Sequence, residues 1–348
     1  MNLDELLAKY EPRVAQAFRE AIEAIKSAAV LKTIVERLER GDITGAVDAL
    51  QVEPEAFASL ELALREAFNA GGVNMVQSLP SLMSPDGTRV LFQFGVRNIE
   101  AERLIREQSS TLVTNITDDQ RHALRSVFET GLAAGKNPTA TALDVIGRVN
   151  RVTGRREGGT IGLNSRQVEF IYGDRGARAN LISGDPERMR TYLDLKTRDK
   201  RFDRSVLAAI KEVRPVDADM VTKIVGRLND KNLQLRGETI GLEETRKALF
   251  SVRDNAIRQQ IDAGKIDADV VTKTWKRSPA DHPRLQHTMI SGTSVQLDQP
   301  FTMPDGTQLM YPHDPDAPAR HTIGCHCRLE YDIDYIAAGL RRYRARAA

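Results

Sequence analysis

The 348-residue chain predicts a mainly α protein, an elongated helical body followed by a small C-terminal α+β module. Apolar residues recur at three- and four-residue intervals over most of the first 270 positions, the period of one helix face. Ala, Leu, Arg and Glu are abundant and aromatics make up only 5%, which favours helices packed through aliphatic side chains over a β-sandwich. Beyond about residue 270 the helical period gives way to alternation broken by Pro, Asp and Gly.

Leu3, Leu7, Tyr10, Val14, Phe18, Ile22 and Ile25 place one apolar stripe on a long opening helix. A second helix is expected from about Pro54 to Asn69, stopping at Gly71-Gly72. The run S-P-D-G-T at 84–88 signals a turn, and Val90 to Phe94 after it has strand composition, so a short hairpin or extended arm is expected there. Thr117, followed by Asp118, Asp119 and Gln120, reads as the capping box of a new helix that carries Leu124, Val127, Phe128 and Leu132 and closes at Gly135. Asn137-Pro138 opens the next, with Leu143, Ile146 and Val149. Residues 151–163 read as a loop rich in Gly and Arg, and Asn164 with Gln167 repeats the capping-box spacing. Periodicity resumes at Val206, Ile210 and Val213, then continues from Met220 to Val252. Past 270, Thr293, Val295 and Leu297 alternate with polar residues, Pro304-Asp305-Gly306 gives a turn, and Leu309 to Tyr311 reads as the returning strand.

These elements suggest an N-terminal helical region over 1–115, a central helical domain over 116–270, a C-terminal module over 271–335 and a basic tail over 336–348. The formal net charge of +2 is too small to indicate a nucleic-acid partner by itself. Local charge carries that argument: residues 188–204 hold seven basic side chains (Arg188, Arg190, Lys196, Arg198, Lys200, Arg201 and Arg204) against three acidic ones. The segment is a candidate contact for phosphates or an acidic partner, or else a solvated helix face laced with ion pairs. Two cysteines one residue apart cannot form a disulfide framework. The acidic, amphipathic opening residues lack the pattern of a secretion signal, and no apolar run approaches the roughly 18 residues of a membrane span, so a soluble protein is expected.

Five of the six histidines, both cysteines and the single tryptophan fall between Trp275 and Cys327. Three chemistries compete for this crowding. Cys325 and Cys327 with imidazoles drawn from His287, His313, His321 and His326 would suit zinc or another soft metal, although a one-residue spacer points side chains to opposite faces of a strand unless a tight turn at Gly324 intervenes. A cysteine nucleophile activated by histidine, or a histidine–metal nuclease, is the second. The third is structural: a small module with little apolar bulk, pinned by polar networks, buried cysteines and Trp275.

The order Trp275, Asp281, Arg284, His287, Gly292, Pro300-Phe301, Asp305-Gly306, Tyr311-Pro312, Asp314 and Gly324-Cys325-His326-Cys327 resembles the C-terminal signature of the phage head morphogenesis family, the minor capsid proteins similar to phage Mu F protein and SPP1 gp7. His326 stands where that family usually has arginine. Upstream, Arg236, Ile240 and Glu244 match an arginine-led helix of the family, while Leu242 and Glu243 replace its arginine and threonine. The resemblance spans about residues 60–335.

It implies a virion component without catalytic activity, present in few copies at the portal vertex or capsid interior. Its implied partners are the portal protein, the major capsid or scaffolding protein and packaged double-stranded DNA, with no membrane. Trp275 would anchor the C-terminal module, Asp281 and Arg284 would be its internal polar partners, and a structural zinc ion would draw on Cys325, Cys327, His287 and His321. Two other classes stay open: a metal-dependent nuclease or toxin-like enzyme centred on the same cluster, and a DNA-binding protein acting through 188–204.

Overall fold

The computed structural model describes residues 1–79, 82–83, 89–94, 99–277, 283–338 and 340. The fold is mainly α, with long helices and a few small strands, the largest sheet lying near the C-terminus. The chain forms two compact units, each assembled from separated stretches: Met1–Ala15, Glu61–Ser110 and Thr239–Ala348 in one, Gln16–Leu60 and Thr111–Glu238 in the other. Among the described residues no helix is long and apolar enough to cross a membrane.

The opening helix spans Leu3–Ala28, and every residue of its expected stripe from Leu7 to Ile25 is buried. Two short helices, Leu31–Glu39 and Ile43–Asp48, follow it, and the helix expected from about Pro54, Ala58–Ser78, runs through Gly71-Gly72 instead of stopping there. These glycines serve packing. A Cβ on Gly71 would lie 2.6 Å from Leu249 Cδ2 and 2.8 Å from Val252 Cγ1, and one on Gly72 would meet the Phe94 ring. Close approach outweighs the roughly 1 kcal/mol that each glycine costs a helix. Past this helix, Leu82–Met83 and Arg89–Val90 form a two-stranded antiparallel pair, while the S-P-D-G-T turn between them lies outside the described residues.

The boundary expected at 115/116 falls inside one continuous helix, Ile99–Ala133. Thr117 caps nothing. Its hydroxyl donates to Val113 O at 2.8 Å, the i−4 bond that satisfies a threonine within a helix, and the side chain is buried. Val113, Ile116, Ala123, Leu124, Val127 and Phe128 are buried on both sides of it, so the apolar stripe prevails over the local capping signal. The neighbouring signals held: Gly135 takes φ +67° just past this helix, Asn137 accepts from Thr139 N ahead of Pro138–Ile146, and Asn164 and Gln167 form both bonds of a capping box ahead of Ser165–Tyr172. The Gly/Arg-rich stretch contains the short pair Arg148–Val149 and Arg156–Glu157, with Gly158 held by the buried Lys26 Nζ on its carbonyl and by Asp230 on its amide. Helices Asp203–Lys211 and Ala218–Asp262 carry the later periodicity; Val213 lies beyond the first of them and is exposed.

The C-terminal module is built on a three-stranded antiparallel sheet in the order Ser294–Gln296, Val271–Lys276, Arg328–Ile333. The expected turn at Pro304-Asp305-Gly306 is present, but the strand leaving it, Gln308–Leu309, pairs with Phe301–Thr302 and not with 293–297. The segment 294–296 is claimed by the central strand, where Val295 lies opposite Lys273. Along that central strand Val271, Lys273 and Trp275 share the buried face, and Trp275 packs with Ile290, Phe301, Met303, Leu309, Cys325, Cys327 and Leu329.

Period-two alternation thus forces a lysine inward. Lys273 is fully buried, its Nζ has no hydrogen-bond partner among the described residues, and it lies 5.7 Å from the centre of the Phe301 ring. Burial pushes its pKa down from 10.5 to about 8, with Asp254 opposing the shift. The unfolded chain therefore binds this proton more tightly, and stability should rise as pH climbs from about 8 to 10.5. Lys273→Met should raise stability at pH 7 by about 1–3 kcal/mol, and the gain should shrink over that window. Urea denaturation of both proteins at pH 7, 9 and 10.5 checks it; a destabilised variant at pH 7 would contradict it.

Candidate metal centre

Cys325, Cys327 and His287 converge at the heart of the module. His287 lies on the five-residue helix Leu285–Met289, and the cysteines precede the strand Arg328–Ile333. Because the cysteines lie before the strand begins, strand alternation does not govern them. Gly324 turns the chain at φ +66°, Cys325 N donates to Thr322 O, and Cys327 N points at Cys325 Sγ at 3.4 Å. Both sulfurs thereby reach the same imidazole nitrogen: His287 Nδ1 lies 3.5 Å from Cys325 Sγ and 3.4 Å from Cys327 Sγ. The three donor atoms sit within 4.8 Å of one another, and none of the three residues is more than 4% exposed.

Two thiols and an imidazole at this separation could hold a metal ion, and the soft donor set suits zinc. The thiol of Cys327 beside it, and burial, push the Cys325 thiol far above its ordinary range. A bound cation would reverse that preference by stabilising thiolates.

Behind His287 lies a polar chain. His287 Nε2 is 3.2 Å from His321 Nδ1, and His321 Nε2 is 3.0 Å from Asp305 Oδ2. Asp305 also accepts from Thr307 N and Arg320 Nε, and the Thr307 amide above all holds its carboxyl well below the usual range. Were a metal held by His287 Nδ1, Nε2–H would donate to His321 Nδ1, whose own Nε2–H would donate to Asp305, so one carboxylate would fix both tautomers. His321 therefore stands behind His287 and is not among the three clustered donors. The walls are aromatic: Trp275 meets His287 edge-on at 5.3 Å between ring centres, His321 stacks on it at 5.4 Å, and Phe301 meets Trp275 at 5.4 Å. If zinc occupies this site, Asp305→Asn should lower its affinity about 10–100-fold without changing the number of ions bound per chain. Competition with a chromogenic chelator measures it, and an unchanged affinity would remove Asp305 from the site.

The other histidines are placed elsewhere. His313, also buried, sets Nε2 against Cys325 O at 2.8 Å and Nδ1 at 3.1 Å from Glu243 Oε2. Glu243 also accepts from Gly324 N, so this residue of the helix Ala218–Asp262 grips the turn that presents the cysteines. In the sequence Glu243 stands out only as a departure from the family pattern, because its partners His313 and Gly324 are remote along the chain. His326 is exposed, 3.4 Å from Arg246 Nη2.

Arg284 donates to Ile323 O, tying the start of the His287 helix to the cysteine turn, and Gly292 N donates to Trp275 O at 2.8 Å. Asp281 lies outside the described residues. Arg236 and Glu244 take no part in the cluster. Arg236 donates to Gly162 O at 2.9 Å, lies 3.6 Å from Asp119 and covers the Phe18 ring, and burial lowers its pKa to about 10. Glu244 is largely buried, which raises its carboxyl, with Lys247 at 4.0 Å. In the basic window, Arg190 pairs with Glu187, Arg198 with Asp203 and Arg201 with Asp199, while Arg188 bonds Asn180 and Asp174 O. Lys196, Lys200 and Arg204 have no such bond among the described residues.

No family model matches the chain, and no solved structure matches it. A segment of 74 residues is 32% identical to the uncharacterized protein YqbB of Bacillus subtilis (strain 168), covering 20% of this chain and 24% of that protein. The match thus spans about a quarter of the relative's length and carries no activity with it.

Proposed function

We propose that the chain is a minor head protein of a tailed bacteriophage, with a C-terminal module stapled by a structural zinc ion on His287, Cys325 and Cys327. The supporting observation is convergence. Trp275, His287, Cys325 and Cys327, chosen for their order along the sequence, meet in one buried cluster, while Arg284 and Gly292 at its rim bond the carbonyls of Ile323 and Trp275. Residues so far apart that all serve one small site fit a signature whose purpose is to hold a fold. Three protein donors leave a fourth zinc position open, but the burial of all three favours a structural ion, because a substrate would have to open the module to reach them. On this reading the chain is not an enzyme. It associates with the portal vertex during head assembly, its partners are the portal protein, the major capsid or scaffolding protein and packaged DNA, and its location is the virion.

An epitope-tagged chain expressed in the host during growth of a phage that encodes it should co-purify with assembled heads at a few copies per particle. Recovery only outside assembled particles would overturn the assembly role. Nuclease activity of the purified protein that disappears with chelator would favour the enzymatic alternative instead.

A further inference from the structure

The unit formed by Gln16–Leu60 and Thr111–Glu238 holds a cavity of about 590 Å³ that the head-assembly reading does not use. At one end a single carboxylate serves three cations. Asp144, with a side chain only 12% exposed, is bonded to Lys136 and Arg178 and has Arg148 at 3.8 Å. The remaining ionisable wall residues, Lys223 and Arg227 against Glu157 and Asp230, balance one another, so an excess of two positive charges is left beside Asp144. Burial above all, with the two guanidiniums adding to it, lowers the Lys136 ammonium despite its carboxylate partner.

A second feature is independent of charge. Asn229, 1% exposed, lines the same cavity and donates Nδ2 to Tyr172 Oη at 2.8 Å, while its Oδ1 is buried with no partner among the described residues. Tyr172 Oη accepts that bond, and desolvation keeps its own proton in place, so it still offers a donor. Buried polar atoms are normally satisfied, and a bare acceptor beside a spare donor in a roomy cavity is what a bound polar molecule would complete.

We propose that this cavity binds a phosphomonoester whose organic part carries hydroxyl groups, the dianionic phosphate lying against Lys136, Arg148 and Arg178 and a hydroxyl donating to Asn229 Oδ1. A phosphate monoester carries close to two negative charges at neutral pH, matching the excess, and guanidinium forks suit its oxygens. The cavity lies within the roughly 300–1,000 Å³ typical of small-molecule sites, larger than phosphate alone requires. The assignment does not rest on the metal centre or on the phage reading.

Calorimetric titration of the full chain with ribose 5-phosphate, and with ribose at matched ionic strength, tests it. Saturable one-to-one binding of ribose 5-phosphate without binding of ribose is expected. Arg178→Gln should weaken it about tenfold or more, the usual worth of one charge-assisted bond. Arg190→Gln, a neighbouring arginine outside the cavity, should leave it unchanged, and Lys136→Gln serves as a second variant should Arg178→Gln fail to fold. Equal heats for ribose and ribose 5-phosphate, or equal affinity in folded Arg178→Gln and wild type, would overturn the proposal. So would a short DNA duplex that binds in an Arg178-dependent way where ribose 5-phosphate does not.

Discussion

Replacing both Cys325 and Cys327 with serine should reduce bound zinc from about one ion per chain to none and lower stability by on the order of 5 kcal/mol. Structural zinc contributes roughly 10–16 kcal/mol of apparent binding energy in small finger peptides. Here part of the loss is offset because the module keeps its own apolar cluster of Trp275, Phe301, Met303, Leu309 and Leu329. Serine nearly preserves shape while removing the thiolate, so the experiment separates metal binding from packing. Elemental analysis gives the stoichiometry, and melting with and without chelator gives the energetics. Chelator should bring the wild type down to the level of the double variant and leave the variant where it was. A wild type free of metal, with a melting temperature shared by the variant, would reject the zinc staple.

Trp275→Ala should cost about 3–5 kcal/mol, the usual penalty for truncating a buried large aromatic. Its ring is fully buried and meets both His287 and Phe301 edge-on, so alanine would open a cavity against the imidazole that the sulfurs approach. Trp275→Phe should cost less than half as much. The indole Nε1 is buried without a hydrogen-bond partner among the described residues, so phenylalanine loses some contact area but no polar bond. Chemical denaturation of the three proteins measures the order. A phenylalanine variant as unstable as the alanine one would mean that Nε1 makes a bond essential to the module.

The long helices were legible because their signals are local and repeated: a stripe from Leu7 to Ile25, and the capping box of Asn164 and Gln167, depend only on residues within a few turns. Thr117 and Gly71-Gly72 misled for the same reason. Each carries a genuine local preference, but Thr117 is overruled by burial on both sides of it, and Gly71 by the close approach of Leu249 and Val252. Likewise 294–296 has strand character in sequence, yet its partner was decided by the central strand Val271–Lys276.

At the candidate metal centre the sequence by itself determined the inventory: soft donors crowded into one stretch, with a glycine placed to turn the chain before the cysteines. Which donors meet was decided only by the tertiary structure. His287 shares one nitrogen with both sulfurs, His321 stands behind it on Asp305, His313 turns to Glu243, and His326 faces outward. Residue type sets what an imidazole can bind. Which partner it binds depends on the position and direction of each ring nitrogen, and those follow from how separate strands, a short helix and a turn pack together across tens of residues.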